Sequence, residues 1–539
     1  MSILLSDSGE APANVPEHID MQIEKIDLGE INNFSPIFLD YIKGEPTLKK
    51  FYHLSPKKEN FKQMIGSLNF PKDRRKLLSE VLTQQYSNIK ISEKVAANIQ
   101  ALHDETSFTI TTGHQLNIFT GPLYFIYKII TTINATRQLK TDFPEYNFIP
   151  VYWMASEDHD FEEINHFNLF GKTYTWNSEQ KGAVGKFNPE ELKDVIEQLP
   201  EFPEFFKTAY LKHNTLTEAT RYLVNTLFGE EGLIILDGDN SLLKSEIKDL
   251  MKEELTQNHA HKMVQKTSSE LAALGYKLQV TPREINLFYL DKDLRDRIVN
   301  DHDFQVLNTE LKYTEEEILD LVDQKPEKFS PNVILRPLYQ EIVLPNLAYI
   351  GGPAEMAYWL QLKPLFDHYK LSFPILMPRN FGLIINKNMA KKINKNGLSI
   401  KDLFMDLQSL KTKFLKENSE NVITLDHEKD VLKQVFQSIL HKGLAVDQSL
   451  EGMIGAESAK TQKGLENIEK KLRKAEELKQ ETAIKQIENI KDKLFPGDGL
   501  QERKENILNF YINNPSIINF LLNNLDPFDY RFHVVIENE

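Results

Sequence analysis

"SFTITTGHQLNIFTGPLYFIYKIITTINATRQLKTDFPEYNFIPVYW", residues 107–153, decides the fold. Its first part, 107–112, alternates like a strand. The stretch 121–140 opens with Pro122, whose fixed φ suits a first helical turn, and keeps helical apolar spacing. The last part, 147–153, is apolar almost throughout, as a strand buried on both faces should be. Strand, helix and strand in one segment make a parallel crossover unit.

Strand-like runs recur at 232–237, 332–337, 347–352 and 373–378, with helices between several of them, including 353–367. This predicts an α/β fold with a mainly parallel sheet. The first hundred residues read as helical near 48–65, 73–86 and 92–103. Two segments read as insertions. The first, 162–230, carries the hairpin-like "HFNLFGKTYTW"; the second, 255–330, mixes helices and loops.

Beyond about residue 390 lysine, glutamate and asparagine dominate. Leu465, Ile468, Leu472 and Ala475 step by 3, 4 and 3, and Ile484, Ile487 and Leu494 extend the stripe. Heptad spacing of this kind predicts a helical hairpin or coiled-coil arm, whose seam must be buried against its own helices or a second subunit. The expected boundaries are 1–161 (N-terminal helices and first half of the core), 162–230 (first insertion), 231–254 (core), 255–330 (second insertion), 331–390 (second half of the core), 391–496 (helical arm) and 497–539 (a return to the core).

Composition narrows the function. With 539 residues, 41% hydrophobic and 10% aromatic, the chain is globular and too long for one compact core. A formal charge of −15 argues against nucleic acid as partner. The absence of cysteine excludes disulfides, thiolate zinc sites and a cysteine nucleophile. The opening segment 1–20 does not read as a signal peptide, and the most apolar run, 118–133, is broken by Lys128, so no membrane span is expected. A cytoplasmic protein is the expectation.

Chemistry collects after the strands. Gly113, His114 and Gln115 follow the first. "MASEDHDFEEINH" (154–166), with five carboxylates and two histidines, follows the second. Asp237-Gly238-Asp239, Gly351-Gly352-Pro353 and Pro378-Arg379-Asn380 follow three others. In an open parallel sheet all these turns share one edge, where ligands bind. Glu162, Glu163 and His166 suit a solvated helix start. Glu157, Asp158, His159 and Asp160 cannot all face solvent from a buried strand's end, and their proximity should force their pKa values apart.

Arg336 and Arg379 after strands, and Lys128 on the crossover helix, are candidates for gripping carboxylate or phosphate. His159 and His166 stand seven apart rather than four, so no zinc site is expected; the carboxylates could hold Mg²⁺ beside phosphates. "FGKT" (170–173) lacks the first glycine of a P-loop, since position 166 is His166, and no G-x-G-x-x-G follows a strand. "LFPGDGLQERKENI" (494–507) feeds a helix whose free N–H groups could hold an anion, or is an ordinary tight turn between helices.

The blocks "TTGHQLNIFTGPLYFIYKI", "IPVYWMASEDHDFEEINH", "RPLYQEIVLPNLAYIGGPAEMAYW" and "LFPGDGLQER", in this order along nearly the whole chain, resemble the cysteine-adding enzymes of bacillithiol biosynthesis. The resemblance implies a Rossmann-like core with inserted connecting subdomains and a C-terminal coiled coil used in dimerisation. It implies addition of L-cysteine to glucosaminyl-malate, the last step in making bacillithiol. Amide formation is uphill in water, so ATP is the expected activator, with Mg²⁺ accompanying it.

In that setting His114, Gln115, Glu157, Asp158, His159 and Asp160 are the catalytic candidates, with a carboxylate or His159 taking the amine's proton. Gly113, Lys128, Ser156, Arg336 and Gly351 are expected to contact substrate, as are Gly352, Tyr358, Arg379 and Asn380. Gly499, Leu500, Gln501, Glu502 and Arg503 are the nucleotide candidates. Two other readings stand beside this one: a metal-assisted hydrolase built on 157–160, and a non-catalytic dimeric scaffold that binds an anionic metabolite.

Overall fold

A computed structural model describes residues 21–419 and 424–538. The opening segment 1–20, read above for a signal peptide, lies outside the described residues. Those elements that position the site are, in chain order, β1 (Ser107–His114), α1 (Tyr124–Asp142), β2 (Asn147–Met154) and β3 (Ile234–Asp237). Next come α2 (Lys248–Gln257), α3 (His259–Ala273), α4 (Arg336–Val343), β4 (Asn346–Gly351), α5 (Pro353–Trp359), α6 (Lys363–His368) and β5 (Ile375–Pro378).

The five strands form one sheet in the order β5-β4-β1-β2-β3, and every neighbouring pair is parallel. The chain therefore begins in the middle, builds outward through β2 and β3, then returns to the other side of β1. The direction of winding reverses between β1 and β4, and a crevice opens there at the carboxyl ends. β2 is buried at all but its first residue. Its Pro150 pairs with Ile110 of β1, but the ladder to β3 starts only at Val151, so the missing N–H falls outside the doubly flanked stretch. One sheet face packs Phe108, Ile110, Phe148, Ala348, Ile350 and Ile375 against Ala135 and Leu139 of α1 and against Phe61 and Met64 of the helix Asn60–Ser67.

The chain divides into two compact units. Among the described residues one comprises 25–383 and 501–533; the other comprises 21–24, 384–500 and 534–538. In the second unit, α7 (Asp426–Val446) and α8 (Leu450–Lys479) pack along each other and α9 (Glu481–Leu494) follows. Gly443 permits the close approach: a Cβ there would lie 2.5 Å from Ile454 Cδ1. The heptad stripe splits at the helix break. Ile484, Ile487 and Leu494 are buried, whereas Ile468 and Leu472 remain exposed, as do Val431, Val435 and Ile439 on α7.

Three expectations need correction. Residues 332–337 are not a strand: the Asn332 carboxamide oxygen accepts the N–H groups of Ile334 and Leu335, and Arg336 opens α4 with Pro337 in its first turn. The stretch 353–367 is two helices, α5 and α6, rather than one. The second insertion is no mixture of helices and loops alone. It holds an antiparallel sheet of Leu287–Asp291, Leu294–Asp301, Asp303–Val306, Lys312–Tyr313 and Phe329–Pro331. Alternation in "LRDRIVND" signalled it, but charges on both faces masked the period. The hairpin at 166–175 forms as read.

Candidate functional site

At the β1/β4 crevice lies a cavity of about 310 Å³, lined by Gly113 and His114 from β1, Tyr124 and Lys128 from α1, Trp153 from β2, and the 352–355 turn after β4. Gln115, Ala155, Arg336, Tyr349, Tyr358, Arg379 and Arg503 complete it. The order of strands accounts for this gathering: β1 and β4 diverge at the switch point, so their following turns frame a gap rather than pack together.

Lys128 is only 3% exposed. Its Nζ donates to Gly113 O at 2.8 Å and pairs with Glu355 Oε2 at 2.6 Å. Burial lowers the lysine's pKa and Arg379 and Arg336 lower it further, while Glu355 opposes them. Burial would raise the Glu355 pKa, but Lys128, the Gly352 N–H and the Tyr349 hydroxyl together hold the carboxyl below its usual range. Glu355 thus accepts at both oxygens, twice at Oε2 and once at Oε1. Gly113 leaves room for its neighbours: a Cβ there would crowd the Tyr349 hydroxyl at 3.1 Å.

Around this pair the cavity carries surplus positive charge. Arg336 donates through Nη1 to Gln340 Oε1 at 3.0 Å, lies over the Tyr349 ring and bonds Tyr358; its buried Nη2 has no partner. Arg379 donates to Glu502 Oε1 at 2.6 Å and to Asn380 O at 2.9 Å, while its buried Nε is unpartnered. His114 stacks on Phe125 at 5.1 Å with Tyr124 against its edge, and its Nε2 is unpartnered too. Burial, reinforced by the charge on Lys128, pushes the His114 pKa down to about 3, so the ring is neutral. Buried nitrogens are normally satisfied. Three unsatisfied ones sit on side chains around one cavity, which together with the surplus positive charge gives it the chemistry to take anionic oxygens.

A second cavity, of about 490 Å³, shares Trp153, Ala155 and Arg336 with the first. Glu157, Asp158 and His159 line one side. Arg283, Arg295 and Arg297 from the inserted subdomain line the other, over an apolar floor that includes Ile285, Leu287 and Phe288. Burial would raise the Asp158 pKa, but the Arg295 charge, the Gln115 amide and the His159 backbone N–H hold it well below the usual carboxylate range. Gln115 donates to both Asp158 Oδ2 and Glu163 Oε2 at 2.7 Å, tying the turn after β1 to the acidic loop. Arg295 Nη1 lies 2.8 Å from His159 Nδ1. An arginine can only donate, so Nδ1 accepts in this contact and Nε2 is the ring nitrogen left to carry a hydrogen.

The remaining residues of the acidic loop disperse. Glu157 turns to Lys244, which is fully buried and also pairs with Asp239 at 2.9 Å. Burial raises the Glu157 pKa against the pull of Lys244. Ser156 bonds Asp237, and Asp160 is exposed with no side-chain partner among those described. Glu157 to Asp160 do not converge as metal ligands; among the described residues the one such group is Glu253, His259 and His368.

Elsewhere, Asn380 is a buried support, bonded to Thr131 and to Asp526 O. Gly351 ends β4 and Gly352 lines the first cavity. Of the segment 499–503, Arg503 lines the first cavity. Glu502 is fully buried, bonded to Arg379 and to the Gly382 N–H, and Gln501 is buried beside it. Gly499 and Leu500 belong to the other compact unit. Sequence reasoning missed Tyr124, Tyr349, Glu355 and the three insertion arginines. Glu355 was legible as the third residue of a helix whose cap is Gly352; the arginines needed the strand period of 294–301.

These features define a Rossmann-like α/β protein with a positively charged cavity at its strand switch point. The chain belongs to the bacillithiol biosynthesis BshC family. The model described as "Bacillithiol biosynthesis BshC, N-terminal Rossmann-like domain" matches residues 21–380, and the "C-terminal coiled-coil domain" of that family matches 382–537. Relatives named as candidate cysteine ligases, BshC, occur in Flavobacterium psychrophilum (44% identical, 93% of this chain and 97% of the relative) and Flavobacterium johnsoniae (43%, with 93% and 97% covered). Another is that of Christiangramia forsetii (42%, with 94% and 97% covered). No helix among the described residues is long and apolar enough to cross a membrane.

Proposed function

We propose that this protein is a ligase that joins the carboxyl group of L-cysteine to the amine of glucosaminyl-malate. The single observation that carries the reading is the set of unpartnered buried nitrogens of His114, Arg336 and Arg379 around one cavity. The malate half of that substrate brings two carboxylates, and arginine is the side chain suited to them. Lys128 and Arg503 add charge to the same cavity, so the dianion is held against four cations and the one satisfied carboxylate of Glu355.

The acidic side of the neighbouring cavity suits the other end of the substrate. Asp158 stays ionised and attracts the sugar's ammonium. His159 takes the amine's proton only if Nδ1 is released from Arg295, because Nε2 already carries a hydrogen. Neutral His114 serves as a hydrogen-bonding group toward developing negative charge rather than as a base. Cysteine carboxylate attacks ATP to give a mixed anhydride, either the acyl adenylate with loss of pyrophosphate or the acyl phosphate with loss of ADP. The amine then attacks the acyl carbon, expels AMP or phosphate respectively, and loses one proton. Mg²⁺ would accompany the nucleotide. The exposed apolar stripe on α7 and α8 suits a homodimer, and a cytoplasmic location suits all these substrates.

The test is mass-spectrometric. The full chain is incubated with cysteine, glucosaminyl-malate and Mg²⁺, with and without ATP. Amide product with ATP alone is the expected result. Tight binding of glucosaminyl-malate with no product under either condition would overturn the ligase and leave a metabolite-binding scaffold.

A further inference from the structure

Helices α2 and α3 meet at Asn258, which adopts left-handed backbone geometry (φ 54°). This sharp corner brings His259, the first residue of α3, back beside Glu253 of α2. His368, the last residue of α6, arrives from a third helix. Glu253 Oε1 lies 2.5 Å from both His259 Nδ1 and His368 Nε2. The two rings have centroids 4.6 Å apart and are tilted by 70°, so neither stacks on the other. The three ligand atoms all lie within 4.8 Å of one another, and each side chain is roughly one-third exposed, at 27–32%.

We propose that Glu253, His259 and His368 form a binding site for a divalent transition metal of the zinc class, which clamps the α2–α3 corner to α6. Two imidazoles and a carboxylate are a donor set that zinc takes with one position left to solvent. Imidazole donors favour zinc, cobalt or nickel over magnesium and calcium. Metal–ligand bonds of about 2.1 Å in a tetrahedron put ligand atoms roughly 3.4 Å apart. The separations here, two of 2.5 Å and none above 4.8 Å, bracket that value, so the side chains reach it with small rotations. Tyr369 supplies a supporting donor. Its hydroxyl is buried and unpartnered, and burial followed by the charges of Glu253 and Glu254 raises its pKa. That hydroxyl can bond the carboxylate oxygen left free by the metal, as outer donors commonly do. Glu254 in turn accepts from Asn286, which bonds Asn332 of the second cavity, so the clamp braces a wall of that chamber.

The test uses the full chain stripped with a chelator and then titrated with Co²⁺, read by its visible absorption, followed by displacement with Zn²⁺ and measurement of bound metal. One ion per chain is expected, with the bands of four-coordinate Co²⁺ and a rise in Tm when Zn²⁺ is added. His259→Ala and His368→Ala should each weaken affinity at least about tenfold. Glu253→Gln keeps a hydrogen-bonding oxygen for the rings but removes the charge, and serves if either alanine variant fails to fold. The proposal is overturned if the wild-type chain takes up no Co²⁺ at millimolar concentration, or if binding is unchanged in these variants. Neither readout depends on ligase activity.

Discussion

Two buried lysine–glutamate pairs stand at the same edge of the sheet and serve opposite ends. Lys244 lies between Glu157 and Asp239, with Lys186 outside Asp239, and burial is outweighed so that its pKa is raised. Lys128 has one carboxylate, Glu355, and two arginines nearby, and its pKa is lowered. The first pair closes a balanced network. The second leaves positive charge over, beside a cavity. Burial alone therefore does not identify a functional lysine; the sign of what surrounds it does.

The largest expected effect belongs to the balanced network. Lys244→Met would strand Glu157 and Asp239 without their cation and should cost about 3–5 kcal/mol of stability, read by urea denaturation. A loss under about 1 kcal/mol would show that the network is not closed and would erase the contrast. Next, Arg336→Ala should weaken glucosaminyl-malate binding by roughly 1.5–3 kcal/mol, the worth of a hydrogen bond to a charged group, in calorimetry. Its stability should fall less than in Lys244→Met, because Arg336 bonds Gln340 and Tyr358 but closes no ion pair among the described residues. Lys128→Met should be milder in stability than Lys244→Met, since Glu355 keeps the Gly352 N–H and the Tyr349 hydroxyl.

A smaller effect sharpens the role of burial where it outweighs a nearby cation, Arg336. Glu341 accepts from Gln340 and Asn346, and burial raises its pKa to about 8. A carboxyl whose folded pKa is raised contributes stability that is present below its unfolded value near 4.3. That contribution is lost as pH climbs toward 8. Glu341→Gln should therefore flatten the fall of Tm between about pH 5 and 8; an unchanged slope would mean that Glu341 does not titrate there. The least effect is a null one. Because His114 is neutral above about pH 3, any pH–rate profile between about pH 5 and 9 should keep its shape in His114→Gln, while its height falls.

Much of the edge was legible because parallel strands leave no choice about where their ends point. The run at 147–153 and the crossover helix placed Gly113, His114, Lys128 and the acidic loop on one side of the sheet, and the structure puts them there. The acidic loop itself was read as a unit and is not one. Glu157 faces Lys244, Asp158 faces Gln115 and Arg295, and Asp160 faces solvent, because a turn aims successive side chains in different directions. Arg336 was found as a residue but on the wrong element, since the apolar run before it looked like a strand until Asn332 capped a turn.

Periodicity and composition determined the α/β class, the crossover at 107–153, the helical C-terminal region and the edge on which chemistry collects. These are local properties, repeated every two or three to four residues. Tertiary structure alone decided which charges meet. Glu502, distant in sequence, neutralises part of Arg379; the insertion's Arg295 faces His159; and the reversal of winding between β1 and β4 opens the cavity. Coulombic and hydrogen-bond partners depend on distances of a few ångströms between segments hundreds of residues apart, and no local pattern encodes those.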